Sequence, residues 1–168
     1  MSSAAVYGLC AASAVAWFPA SAADDRRWRV FEQDEGALLA PSRSDEATDD
    51  VGSPSFRCKA KSGTMAVTGD ASQELRNAVA DLLRSNAYPQ VEMVPASRFG
   101  QTLLSVSYSE AGSVWEYSFD LDADAPAFEA FKRSGRLTFK IGKTTIREEF
   151  KIGLENVAKF QSICARPK

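Results

Sequence analysis

Residues 56–69 read Phe56-Arg57-Cys58-Lys59-Ala60-Lys61-Ser62-Gly63-Thr64-Met65-Ala66-Val67-Thr68-Gly69. The side chains alternate with a period of two. Phe56, Cys58 and Ala60 fall on one face, and Arg57, Lys59 and Lys61 on the other. Ser62-Gly63 supplies a turn, and Met65-Ala66-Val67 returns. The pattern predicts a β-hairpin with Cys58 on its inner face.

Upstream, residues 41–55 are rich in Pro, Ser, Asp and Gly, which predicts a mobile surface loop. Before it, Arg26, Trp28, Val30 and Phe31 open a first strand, expected to continue through Ala37–Ala40 after a kink at Gly36. Downstream, Leu75, Val79, Leu82 and Leu83 form an apolar stripe on a helix, with Asp70 as the expected cap, Gln73 three residues later and Asn86 as its end. Val91–Val94 reads as a short strand between Pro89 and Pro95.

A second hairpin follows. Leu104, Val106 and Tyr108 alternate outbound, and Trp115, Tyr117, Phe119 and Leu121 return. Asp124 and Pro126 begin a short helix that Gly135 ends, with Phe128 and Phe131 facing inward. A third hairpin spans Leu137–Ile152. In the final helix Val157, Phe160 and Cys164 share one face. The expected fold is α+β: a mostly antiparallel sheet of consecutive hairpins with two or three helices packed on it. It forms a single domain over residues 23–168, without internal repeats.

Residues 4–23 carry no charge, and the apolar stretch ends in Ala20-Ser21-Ala22, just before Ala23. A small-x-small site after an apolar stretch predicts a signal peptide over residues 1–22, although a basic segment ahead of it is missing. An uncleaved anchor is the alternative. A lipid anchor at Cys10 is disfavoured by Leu9, which is not small. Cleavage leaves Cys58 and Cys164. An even pair in an exported chain reads as a disulfide, the alternative being two buried thiols. The chain is expected in the periplasm or outside the cell, with no stable membrane insertion after cleavage.

The chain has 168 residues and a formal net charge of −2, so no overall basic field would recruit nucleic acid. It contains no histidine, which removes the usual general base and the commonest metal ligand. Asp120, Asp122 and Asp124 have the spacing of half a calcium loop, but Ala125 stands where glycine is required and Phe131 where glutamate is. Neither metal nor cofactor is expected. Glu148-Glu149 and Glu32, Asp34 and Glu35 offer carboxylates for a hydrolase. Adjacent strand positions face opposite ways, so Glu148 would share its face with Ile146 and Phe150. Arg57, Lys59 and Lys61 form a cationic row, a solvated face or an interaction patch for an acidic partner. Trp28 and Trp115 are expected in the core.

Several landmarks recur in a known pattern: Trp28-x-Val30, Leu38-Leu39-Ala40-Pro41, Phe56-x-Cys58, Phe150-x-Ile152-Gly153-Leu154, and a helix finishing at Phe160 and Cys164. The chain resembles small exported proteins of Gram-negative bacteria, the VasI-like accessory proteins of type VI secretion and, more distantly, the invasion-associated locus B family. The resemblance implies an envelope location and a Cys58–Cys164 bridge, and it transfers no binding residue. The expected function is therefore non-enzymatic: protein–protein contact in the envelope, as a secretion-system accessory or an enzyme inhibitor. The alternative is a binding module for a small ligand or glycan, and a carboxylate-dependent hydrolase comes third.

Overall fold

In the computed structural model, residues 25–45, 51–97 and 100–167 are described. The expected signal peptide, and residues 46–50 of the expected loop, lie outside them. Ten strands and three helices follow in the order β1 (Arg27–Gln33), β2 (Gly36–Ser42), β3 (Ser55–Lys59), β4 (Thr64–Asp70), α1 (Gln73–Arg84), β5 (Gln90–Val94), β6 (Thr102–Leu103), β7 (Ser105–Ser109), β8 (Val114–Asp122), α2 (Pro126–Ser134), β9 (Arg136–Ile141), β10 (Thr144–Glu149) and α3 (Glu155–Cys164).

The fold is α+β, and its strands divide into two antiparallel sheets. A six-stranded sheet runs β1-β2-β3-β4-β8-β7, and a four-stranded sheet runs β10-β9-β5-β6. The hairpin over residues 56–69 is present as β3–β4, with Phe56 and Cys58 buried and Arg57 and Lys59 exposed.

Five expectations are corrected. Gly36 does not kink one strand; Gln33 pairs with Gly36 across a tight turn, so β1 and β2 are a hairpin. A side chain at Gly36 would strike the Cys58 carbonyl, so glycine is what lets β2 lie against β3. The loop is shorter than residues 41–55. Pro41 and Ser42 belong to β2 and are buried, Gly52 N–H donates to the Pro41 carbonyl at 2.7 Å, and β3 already begins at Ser55. The run from Thr102 to Tyr108 is two strands, β6 in the small sheet and β7 in the large one. The buried Leu104 sits between them, its N–H donating to the Pro89 carbonyl at 3.0 Å. Finally, Ser72 caps α1, its hydroxyl accepting from Leu75 N–H at 3.2 Å, while Asp70 belongs to β4. At α2 the cap residue is Ala125 rather than Asp124, followed by Pro126 and closed by Gly135 at φ 67°.

The main core lies between the sheets and under the helices. Phe119 and Phe139 meet across the sheets with ring centroids 5.1 Å apart. Phe56, Phe128, Phe131 and Phe160 cluster around Trp28, which is fully buried. Trp28 is also fixed by polar contacts: its indole N–H donates to the Phe150 carbonyl at 2.9 Å, and Asn156 Nδ2 donates to the Trp28 carbonyl at 2.8 Å. Aromatic packing of this kind gives most of its stabilisation by burial, with the edge-to-face geometry adding about 1 kcal/mol per pair.

Val157, Phe160 and Cys164 form the buried face of α3. Cys164 is bonded to Cys58, with Cα atoms 5.7 Å apart and a sequence separation of 106. The end of α3 is held further by Lys61 N–H to the Ile163 carbonyl and Gly63 N–H to the Cys164 carbonyl, both at 2.8 Å.

Candidate functional site

Glu148 falls on the inward face of β10, in register with the buried Leu137 of β9. An acidic side chain there needs a partner, because burial disfavours its charge. The partner comes from the other sheet. Tyr117 Oη–H donates to Glu148 Oε1 at 3.4 Å, a long hydrogen bond. Tyr117 reaches that far because its phenol lies over Gly69, where a Cβ would stand 2.5 Å from the hydroxyl oxygen.

Burial pushes the Glu148 carboxyl above the ordinary glutamate range; the Tyr117 hydrogen bond opposes this shift, and the nearby Asp70 charge reinforces it. Tyr117 is pushed up as well, mainly by burial and then by Glu148. The phenol therefore stays a donor at neutral pH.

Glu148 lines a cleft of about 490 Å³ with Ser53, Asp70, Ser72, Glu74 and Arg147. The N-terminus of α1 opens into this cleft. A second cleft of about 250 Å³ shares Ser53 and Asp70 and adds Arg26, Thr68 and Glu116. Ser53 Oγ accepts from Asp70 N–H at 2.8 Å, which ties the end of the 41–55 segment to β4.

Two or more carboxyl groups on one cleft, one of them held toward its protonated form, is the arrangement general acid–base chemistry uses. The structure thus brings Glu148 together with Asp70 and Glu74, not with Glu149. Glu149 faces the other way and bonds to Lys151 and to Arg136, the latter at 3.3 Å, which holds its carboxyl below the ordinary range. Glu32 and Glu35 are also engaged elsewhere, with Lys159 at 2.7 Å and Lys59 at 3.8 Å.

The cationic row is divided by the fold. Arg57 and Lys59 stand on β3, whereas Lys61 lies in the following turn at φ 59°. Arg57 and Lys59 border a groove of about 390 Å³ that also contains Glu35 and Asp120, so its charge is mixed. Asp120 and Asp122 end β8, and among the described residues no group of three His, Cys, Asp or Glu side chains is placed to hold a metal ion.

Trp115 corrects another expectation. It is 42% exposed and packs edge-on against Tyr108, itself 50% exposed, at 5.6 Å. Ring contacts to the small sheet begin one step along β8, where Tyr117 meets Phe139 at 5.5 Å. Toward the hairpin tip, among the described residues, the ring contact of Trp115 is with Tyr108 of its own sheet. Alternation alone assigns Trp115 to the core face correctly, but it does not show where the covering layer stops.

No family model matches the chain, and no curated protein and no solved structure matches it. None of the described helices is long and apolar enough to cross a membrane. Fold and site together define a small α+β domain of two antiparallel sheets, closed by one buried disulfide, with an acidic cleft on one flank and an exposed aromatic pair on a hairpin tip.

Proposed function

We propose that this is a non-enzymatic exported protein, periplasmic or secreted, that works by contact with another protein of the cell envelope. The observation that carries the contact reading is the Tyr108–Trp115 pair, two large rings half open to solvent near the tip of the β7–β8 hairpin. Tyr and Trp side chains exposed in this way are enriched where proteins bind one another. Export is supported by the apolar segment ending Ala20-Ser21-Ala22 and by the Cys58–Cys164 bridge, since disulfides persist in oxidising compartments. The resemblance to VasI-like and invasion-associated locus B proteins agrees with that location and with the bridge.

Site-specific photocrosslinking in cells tests the reading. A photoreactive residue at position 115 is expected to trap a discrete heterologous protein in the envelope or secreted fraction, and one at position 59 to trap less. If positions 115, 108 and 59 all trap nothing but a second copy of the chain, the reading is wrong.

The cleft supports a second reading, a binding module for a small polar ligand or glycan. Ser53, at the end of the 41–55 segment, lines both acidic clefts, so that segment borders any ligand seated there. The third reading, a carboxylate-dependent hydrolase, narrows to Glu148 with Asp70 or Glu74. Glycan hydrolysis abolished by Glu148→Gln would establish it.

A further inference from the structure

Four strands form the outer edges of the two sheets, and three are guarded. β1 carries Arg27, Arg29 and Glu32, and its Trp28 N–H already donates to the Ile152 carbonyl at 2.8 Å. β10 carries Arg147, Glu148 and Glu149. β6 is only 2 residues long. Charge, cover and shortness are the means by which natural sheets prevent edge-to-edge pairing.

The fourth edge, β7, has none of them. Its sequence, Ser105-Val106-Ser107-Tyr108-Ser109, contains no charge and no proline. Ser105, Ser107 and Tyr108 are exposed. Apart from the ladder to β8, no backbone hydrogen bond joins these five residues to another strand or helix among the described residues.

The stretch is also complementary to itself. Antiparallel pairing of two copies about Ser107 sets Ser105 against Ser109, Val106 against Tyr108, and Ser107 against its own counterpart. Val106 and Tyr108 then form an unbroken apolar row on the face that carries Trp115, the serines form the other row, and no like charges are opposed.

We infer that β7 is a self-association edge, to which the β7 strand of a second copy of this chain pairs antiparallel about a two-fold axis at Ser107. The two six-stranded sheets become one continuous sheet, and the contact is isologous, using the same patch on both copies. The Tyr108–Trp115 pairs of both copies flank the seam. A seam of five residues is small against the ~1,600 Å² of a standard interface, so the dimer forms in a concentration-dependent way, in roughly the micromolar-to-millimolar range. This pairing does not rest on the heterologous contact proposed above.

Sedimentation velocity over that concentration range is the test. The unmodified protein is expected to move from monomer toward dimer. Ser107→Lys and Ser107→Glu each place like charges face to face at the axis and are expected to remain monomeric, while an equimolar mixture of the two regains the dimer. Ser107 is exposed, so both variants should keep the far-ultraviolet circular dichroism and melting temperature of the parent. Independently of any variant, amide exchange over residues 105–109 should slow as concentration rises. A parent that stays monomeric throughout, single variants that dimerise like the parent, a mixture that stays monomeric, or exchange unaffected by concentration would each overturn the pairing.

Discussion

Glu148 is the residue whose environment is least expected of its type. Its inward orientation follows from strand parity, and Tyr117, laid over Gly69, makes that orientation tolerable. The pH dependence follows from the raised carboxyl. A group whose folded pKa lies above its unfolded value supports the fold when protonated, and that support is lost as pH rises through the folded pKa. Glu148→Gln keeps an acceptor for Tyr117 and carries no charge. We therefore expect the variant to melt higher than the parent at neutral pH. The gap should close on acidification to the ordinary glutamate range, as followed by thermal denaturation at several pH values. A variant that melts lower at pH 7 would show that the charged form is the favoured one. Parity made the position of Glu148 legible in the sequence. Its companions were not legible, because Asp70 and Glu74 reach the same cleft only through the pairing of β4 with β8 and the packing of α1 against β10.

At the scale of elements, the helix starts show how local signals compete. Asp70 and Ser72 are both good cap residues. The ladder decides between them: Asp70 pairs with Glu116 of β8, so β4 is still extended there and the cap of α1 falls two residues later, at Ser72. Ser72→Ala is expected to cost about 1 kcal/mol, the usual loss for an N-cap hydroxyl, whereas Asp70→Asn should leave the helix cap intact. Urea denaturation followed by circular dichroism separates the two; a larger loss from the Asp70 variant would return the cap to that residue. The division of residues 102–109 between β6 and β7 is a similar case. Alternation is continuous through Leu104, so nothing local marks the change of sheet. It arises because Leu104 is buried beside Pro89 while the flanking strands pair with different neighbours.

For the whole molecule, the Cys58–Cys164 bridge is the longest-range constraint. It closes a loop of 106 residues. In the chain-entropy account a loop of this length stabilises by up to about 4.7 kcal/mol. Replacing both cysteines by serine is expected to lower stability by about 2–5 kcal/mol, measured by urea unfolding, and reductant should then have no further effect. α3 should loosen first, since its remaining ties to the β3–β4 turn are the backbone bonds at Lys61 and Gly63. Non-reducing mass spectrometry that finds two free thiols would refute the bridge outright.

The sequence by itself determined what depends on near neighbours. Two-residue periods specified β3–β4, β8 and β9–β10, and a 3.6-residue period specified the helices. Gly135 ended α2, and the periods of their own elements, two on β3 and 3.6 on α3, turned Cys58 and Cys164 inward. Only the tertiary structure decided what depends on residues far apart in the chain. It separated one expected sheet into two, placed Tyr117 against Glu148, and left Trp115 uncovered at the end of an apolar face. A side chain's direction is set by the backbone it stands on, whereas its cover, its proton affinity and its partners are set by whatever else the fold brings there.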